Sequence, residues 1–144
     1  MIGLIQRVRW AKVEVDGHII SQIEQGLLAL IGMQKDDQTM QADKLLHKLL
    51  NYRIFVDDDK MNLSVRDIQG GLLLVPQFTL AADTRKGMRP SFSCAKAPAE
   101  AEQLFDYLLS EAKKQYPHIQ AGKFGADMQV SLLNDGPVTF SLNI

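Results

Sequence analysis

Leu133-Asn134-Asp135-Gly136-Pro137-Val138-Thr139 decides how the sheet of this chain is to be read. On its N-terminal side Met128, Val130 and Leu132 alternate with Gln129 and Ser131; on its C-terminal side Val138, Phe140, Leu142 and Ile144 alternate with Thr139, Ser141 and Asn143. Both arms have the period of two that marks half-buried strands, and the residues between them are turn formers, so the pattern predicts a β-hairpin. A proline in a tight turn is also where a cis peptide bond is accessible, roughly 0.5–1 kcal/mol above trans. A cis bond here would aim two successive carbonyls to one side, as rigid acceptors able to hold an amino group. On spacing alone the commoner reading of the stretch is an ordinary hairpin turn.

Working outward, Ile2 to Val8 is rich in aliphatic and β-branched residues, and Lys12 to Ile20 reads as two short strands about the Asp16-Gly17 turn. Gly26 to Met33 and Gly70 to Val75 are continuously apolar, which suits strands covered on both faces. Pro76 has no N–H to give a ladder and should end the second of them. Ala42, Leu45, Leu46, Leu49 and Leu50 share one face of a helix over about 38–51. Ala101, Leu104, Phe105, Leu108, Leu109 and Ala112 do the same between Pro98 and Pro117. Arg53 to Val56 and Ile119 to Phe124 complete the expected strands. The expectation is a single α/β domain over residues 1–144, with a mixed, largely antiparallel sheet and two main amphipathic helices.

A 144-residue chain buries about two thirds of the surface its unfolded form exposes. Sixteen basic and seventeen acidic side chains give a formal charge of −1, so no global field draws nucleic acid and any polyanion must be held by a local patch. The one cysteine, Cys94, excludes an internal disulfide and fits a reducing compartment, with the cytoplasm as the expected location. The N-terminal residues lack an export signal pattern, and no apolar run approaches the roughly eighteen residues of a membrane span.

The chemistry is narrowed first by what the motifs lack. His18, His47 and His118 have no partners at metal-ligand or triad spacing, and Cys94 lacks the context of a nucleophile. Asp57, Asp58 and Asp59 lack the alternating ligands, glycine and closing glutamate of a calcium loop. No phosphate-binding loop or dinucleotide fingerprint follows either apolar strand, so neither metal nor cofactor is expected. What remains is Gln77-Phe78-Thr79, where amides released from the ladder could form an oxyanion hole. An ordinary strand end fits those residues as well. Arg85, Lys86 and Arg89 form a basic loop with Phe92 available for stacking, readable as a solvated turn or as a contact for a nucleic-acid end.

Several blocks together resemble the D-aminoacyl-tRNA deacylase family in order and spacing. They are Ile5-Gln6-Arg7-Val8, Lys60-Met61-Asn62-Leu63-Ser64, Gln77-Phe78-Thr79-Leu80, Asp83-Thr84-Arg85-Lys86-Gly87, Arg89-Pro90-Ser91-Phe92, Gly125-Ala126-Asp127-Met128 and Asn134-Asp135-Gly136-Pro137-Val138-Thr139. The resemblance implies a cytoplasmic homodimer, barrel-like in the dimer, that hydrolyses the ester between tRNA and a D-amino acid or glycine without a metal. Gly136 and Pro137 match the family's Gly-cisPro selector, which enters the partner's active site and excludes L-amino acids. Gln77, Phe78 and Thr79 match the signature that lines the pocket for the terminal adenosine and the ester. Catalysis in the family leans on the 2′-hydroxyl of the terminal ribose, and Thr79 is expected to position substrate. The chain departs from the family at Pro76, where a serine is usual, so no hydroxyl can act there. Two rival classes are another ester or amide hydrolase on the same scaffold and a non-catalytic RNA-binding protein.

Overall fold

The computed structural model describes residues 1–144. In chain order the elements are β1 (Ile2–Val15), β2 (His18–Ile23), β3 (Gly26–Gly32), α1 (Thr39–Asn51), β4 (Phe55–Asp57), β5 (Lys60–Leu63), β6 (Gly71–Pro76), a 3-10 turn (Phe78–Ala81), α2 (Pro98–Gln115), β7 (Ile119–Ala121) and β8 (Gln129–Asn143). The main sheet is mixed. β1 pairs antiparallel with β2, β3 and β8, whereas β3 with β6 and β6 with β7 are parallel. Its far ends approach each other, with the Ser21 hydroxyl of β2 donating to the Ala121 carbonyl of β7, so the sheet is nearly closed as a barrel.

The expected hairpin at 133–139 is not what forms. β8 runs as one line along a single edge of β1, from Gln129 opposite Glu14 to Asn143 opposite Ile2. Between the pairs Asn134–Val8 and Thr139–Gln6, residues 135–138 have no partner on β1 and bulge out of the ladder. The physical reason is the length of β1. Its 14 residues give both arms of β8 the same edge, so the turn formers interrupt a strand without reversing it. The other edge of β1 is shared between β3, opposite residues 2–8, and β2, opposite residues 11–15.

The apolar runs of β3 and β6 are buried on both faces, as their composition predicts. Leu27, Ala29, Ile31, Leu72 and Leu74 pack with the apolar stripes of α1 and α2, including Leu45, Leu49, Leu104 and Leu108. Leu28, Leu73 and Val75 turn the other way and join Val8, Ala11, Val13 and Ile23. Each such leucine, removed from water, contributes about 1.5–3 kcal/mol to holding the sheet against the helices. β3 and β6 approach closely where Gly26 faces Gly71; a Cβ on Gly26 would stand 1.9 Å from the Gly71 carbonyl oxygen. At the Asp16-Gly17 turn both residues have positive φ, 51° and 78°, the conformation of a two-residue hairpin loop. Asp58 and Asp59, at φ 49° and 63°, turn the chain between β4 and β5. β7 ends at Ala121, short of the expected Phe124.

Candidate active site

Pro76 makes the last pair of β6, opposite Ile31, and the ladder stops where the sequence says it must. The Gln77 amide donates to the Ile31 carbonyl at 2.7 Å, so it is occupied and cannot serve as an oxyanion donor. The chain then tightens into the 3-10 turn, whose opening amides, those of Phe78 and Thr79, have no carbonyl within the turn to bond. The Gln77 side-chain amide donates to Thr79 Oγ1 at 2.5 Å, which fixes both side chains. Beside them lies a cavity of about 440 Å³. Val75, Pro76, Gln77 and Phe78 form one wall, Lys96, Pro98 and Ala101 a second, and Phe124, Gly125, Ala126, Met128 and Val130 the third. The lining is mainly apolar, and no carboxylate or imidazole reaches it. It offers a carbonyl substrate shape and main-chain donors, not a protein base.

Phe92 comes to this site and most of the basic loop does not. The Phe78 and Phe92 rings stand 5.1 Å apart, both largely exposed, and make an aromatic ledge beside the cavity. Asp83 and Ser91 exchange backbone hydrogen bonds of 2.7 and 3.1 Å and tie off the loop between them. Within it Arg85 grips Asp83 with two bonds, Nε at 2.9 Å and Nη2 at 2.7 Å. Those side-chain bonds, then the bond from the Arg85 amide, hold the Asp83 carboxyl well below the usual carboxylate range, and Asp83 in turn raises the Arg85 guanidinium. Lys86 and Arg89 are exposed, with their charges outward and none of the cavity between them. No cluster of three or more His, Cys, Asp or Glu side chains is arranged to hold a metal.

Gly136 and Pro137 are exposed on the bulge of β8 and do not line the cavity of their own chain. The peptide bond between them is cis. Two side chains hold the bulge. Asn134 accepts from the Val138 amide at 3.1 Å and donates to Thr139 Oγ1 at 2.9 Å, bracketing it from within. Arg7 holds it from β1: Nε donates to the Asp135 carbonyl at 3.0 Å and Nη1 to the Ile54 carbonyl at 2.8 Å, with the side chain only 12% exposed. Arg9, 3.3 Å from the Asp135 carboxylate, is mostly in solvent and adds little. Sequence reading did not single out Arg7 as a site residue. The available signal was a long cation at a strand position between Gln6 and Val8, where the strand loses its register with β8.

Known proteins resemble this chain over its whole length. A D-aminoacyl-tRNA deacylase of Pseudomonas putida is 64% identical over 145 aligned residues, covering 100% of both chains. One of Stutzerimonas stutzeri is 64% identical over 143, covering 99% of each. Among solved structures, a c-Myc DNA unwinding element binding protein superposes with a TM-score of 0.96 at 38% identity, covering 100% of this chain and 99% of its own. A probable eukaryotic D-amino acid tRNA deacylase shares the fold, with a TM-score of 0.84 at 17% identity over 99% of this chain and 98% of its own. A near-closed mixed barrel with two helices, carrying a pocket at a proline-terminated strand, is here the fold of a deacylase, an ester-hydrolysing enzyme. The chain belongs to the D-Tyr-tRNA(Tyr) deacylase family, whose model matches residues 4–143.

Proposed function

We propose that this chain hydrolyses the ester that joins a D-amino acid, or glycine, to the 3′-terminal adenosine of tRNA, and that it spares L-aminoacyl-tRNA. The observation that carries the reading is the pairing of an apolar cavity with the free amides of Phe78, which lines it, and of Thr79, the next residue, which does not, in a chain of this family. The terminal adenosine lies against the Phe78–Phe92 ledge, and the ester carbonyl is aimed at the two amides, which stabilise the negative charge that develops on its oxygen. Gln77 and Thr79 position the substrate. Because no carboxylate or imidazole lines the cavity, the attacking water is activated with the help of the ribose 2′-hydroxyl. Lys86 and Arg89 meet phosphates near the acceptor end, and Arg85, engaged by Asp83, orders the loop that carries them.

Selection of the D series is assigned to the main-chain carbonyls of Gly136 and Pro137. Their exposure, and their absence from the cavity lining of their own chain, support action on the cavity of a second copy, which makes the working unit a homodimer. With the amino group held by those carbonyls and the ester carbon held by the amides, a D side chain points to open space and an L side chain points at backbone. Recognition is then steric and independent of side-chain chemistry. The cytoplasm, where aminoacyl-tRNA is made, is the compartment this function needs; no helix is long and apolar enough to cross a membrane.

The test is a set of initial rates on tRNA charged with D-Tyr, L-Tyr, L-Ala and Gly. D-Tyr and Gly should be released, and L-Ala should be rejected as firmly as L-Tyr. Hydrolysis of L-Ala at a rate comparable to D-Tyr would refute the steric account. Equal turnover of small esters without tRNA would point to a general esterase.

A further inference from the structure

One charge stands in the wall of the cavity. Of the residues that line it, Lys96 alone has an ionisable side chain. That side chain is 8% exposed, and its ammonium makes one hydrogen bond, to the Lys35 carbonyl at 3.1 Å, with the Glu100 carboxylate farther off at 3.6 Å. An ammonium has three donors, so two of them lack a protein acceptor at hydrogen-bonding distance. Glu100 is mostly in solvent, which weakens its hold. It belongs to a neighbouring hollow that Lys96 also borders, so the ammonium stands at the boundary between that hollow and the cavity. The backbone beneath it is fixed. The Lys96 amide donates to the Met33 carbonyl at 3.1 Å, and a tight turn, closed by the Ala95 amide on the Phe92 carbonyl at 3.0 Å, brings the chain from the aromatic ledge directly to Lys96. Helix α2 begins two residues later, no side chain caps its first turn, and Pro98 and Ala101 of that turn line the cavity too. The positive end of the helix dipole therefore adds to the charge of Lys96 on this wall.

We propose that Lys96 binds the phosphodiester on the 5′ side of the terminal adenosine and so sets which way round the substrate lies. The inference rests on the proposed function and gives it a place for the phosphate nearest the ester; Lys86 and Arg89 line no part of the cavity. The charged tRNA end carries a phosphate on the nucleoside and an ammonium on the aminoacyl group. A cation in the wall attracts the first and repels the second. With the base on the Phe78–Phe92 ledge, the pose that brings the phosphate to Lys96 and sends the amino group away from it is favoured over the reverse. The phosphate oxygens accept the two free ammonium donors in charge-assisted bonds, and the flexible lysine stem lets the ammonium turn from Glu100 into the cavity. Lys96 is thus a binding and orienting residue, with no part in activating water.

The experiment is a titration, followed by NMR, of adenosine and adenosine 5′-methylphosphate, which carries one diester charge and no further base. The natural protein should bind the diester at least about fivefold more tightly than adenosine. Lys96→Met keeps an unbranched apolar stem in the wall; it should bind the two within about 1.5-fold of each other, with its adenosine affinity within about twofold of the parent. Lys96→Arg should keep the preference for the diester. Lys96→Gln, with the same reading, takes the place of Lys96→Met where that chain does not fold. On D-Tyr-tRNA, Lys96→Met should raise KM about fivefold and leave kcat within about twofold of the parent. Equal binding of the two probes by the natural protein, or no binding of either, would overturn the proposal. So would a preference that survives in Lys96→Met, an equal loss of both probes in that variant, or a fall in kcat with KM unchanged. AMP bound more than about tenfold more tightly than the diester would overturn the assignment to an internal phosphate and mark a site for a free mononucleotide. The binding probes carry no aminoacyl ester, so phosphate recognition and the proposed hydrolysis can fail separately.

Discussion

Replacing Arg7 by alanine tests whether the bulge of β8 works as a selector held in place from β1. The guanidinium bonds the Asp135 carbonyl at 3.0 Å and the Ile54 carbonyl at 2.8 Å, and at 12% exposure solvent replaces neither bond well. Hydrogen bonds to a charged group contribute about 1.5–3 kcal/mol each, and two that share one guanidinium are less than additive. About 3 kcal/mol is therefore a fair figure for the hold on Asp135 and the residue after it. At about 1.4 kcal/mol per decade this predicts a fall of about a hundredfold in kcat/KM on D-Tyr-tRNA, with a lower D-to-L ratio. Arg7→Lys supplies one ammonium where a planar fork spans two carbonyls, so it should recover only part of the loss. The assay is kcat/KM on D-Tyr-tRNA and L-Tyr-tRNA, with the melting temperature of the same samples. A melting temperature that falls while both rates stay within about threefold of the parent would refute the reasoning, since Arg7 would then support the fold without aiming the carbonyls.

Thr79→Ala should lower the rate about tenfold, the effect of losing the partner that Gln77 holds at 2.5 Å, and isolation of an acyl ester on Thr79 would show it to be a nucleophile instead. Gly136→Ala and Phe78→Glu chains should each be poorly active alone, yet refolding an equal mixture should restore about a quarter of parental activity, because about half of the dimers are then mixed and each mixed dimer carries one complete site of its two. No recovery above the separate chains, or full activity in a species of 16.1 kDa, would rule out action across subunits. Asp83 should titrate below its ordinary value of 3.8 in a carbon-detected NMR experiment and return toward it in Arg85→Met. A depressed carboxylate stabilises the fold above its unfolded pKa and loses that contribution as pH falls through the folded one. The order of the 83–91 loop should therefore be indifferent to pH above about 4 and fail only in stronger acid.

Much of the architecture was legible because burial imposes a period. The helix of Leu45, Leu46, Leu49 and Leu50 and the doubly covered strands Gly26–Gly32 and Gly71–Pro76 follow from apolar spacing alone. Gln77, Phe78 and Thr79 could be singled out because a proline without an N–H has to end a ladder. The hairpin expected at 133–139 does not form, for a definite reason. Alternation on both sides of Asn134-Asp135-Gly136-Pro137 looks the same whether the turn formers reverse the chain or bulge out of it, and the deciding quantity is the length of a partner strand more than a hundred residues away. Arg7 is not legible in the sequence because a single arginine in a strand has the pattern of a solvent-facing residue; the register shift lies beside it, and its guanidinium reaches the Asp135 carbonyl. Sequence alone leaves the Gln77 amide among the possible oxyanion donors, because it does not say that the Ile31 carbonyl waits within 2.7 Å.

The same bulge explains why glycine, and not merely a small residue, stands at 136. Its φ is 131°, a region that L side chains rarely adopt. A Cβ at this position would lie 2.7 Å from Val138 Cγ2 and 3.0 Å from Arg7 Nη2. Alanine would therefore press on both the backbone conformation and the guanidinium that fixes it. The conformation of Gly136 and the grip of Arg7 are one constraint seen from two strands. Strand β1 supplies the rigidity, because its residues Ile5, Val8 and Ala11 are fully buried and cannot follow a displaced bulge. The selector proposed for this bulge uses carbonyls and has no side chain to adjust, so its aim would depend on how far that sheet lets the bulge move. Side-chain truncations in the core beneath β1, such as Ile5→Val, should for this reason disturb the D-to-L ratio before they disturb the cavity proposed for the ester.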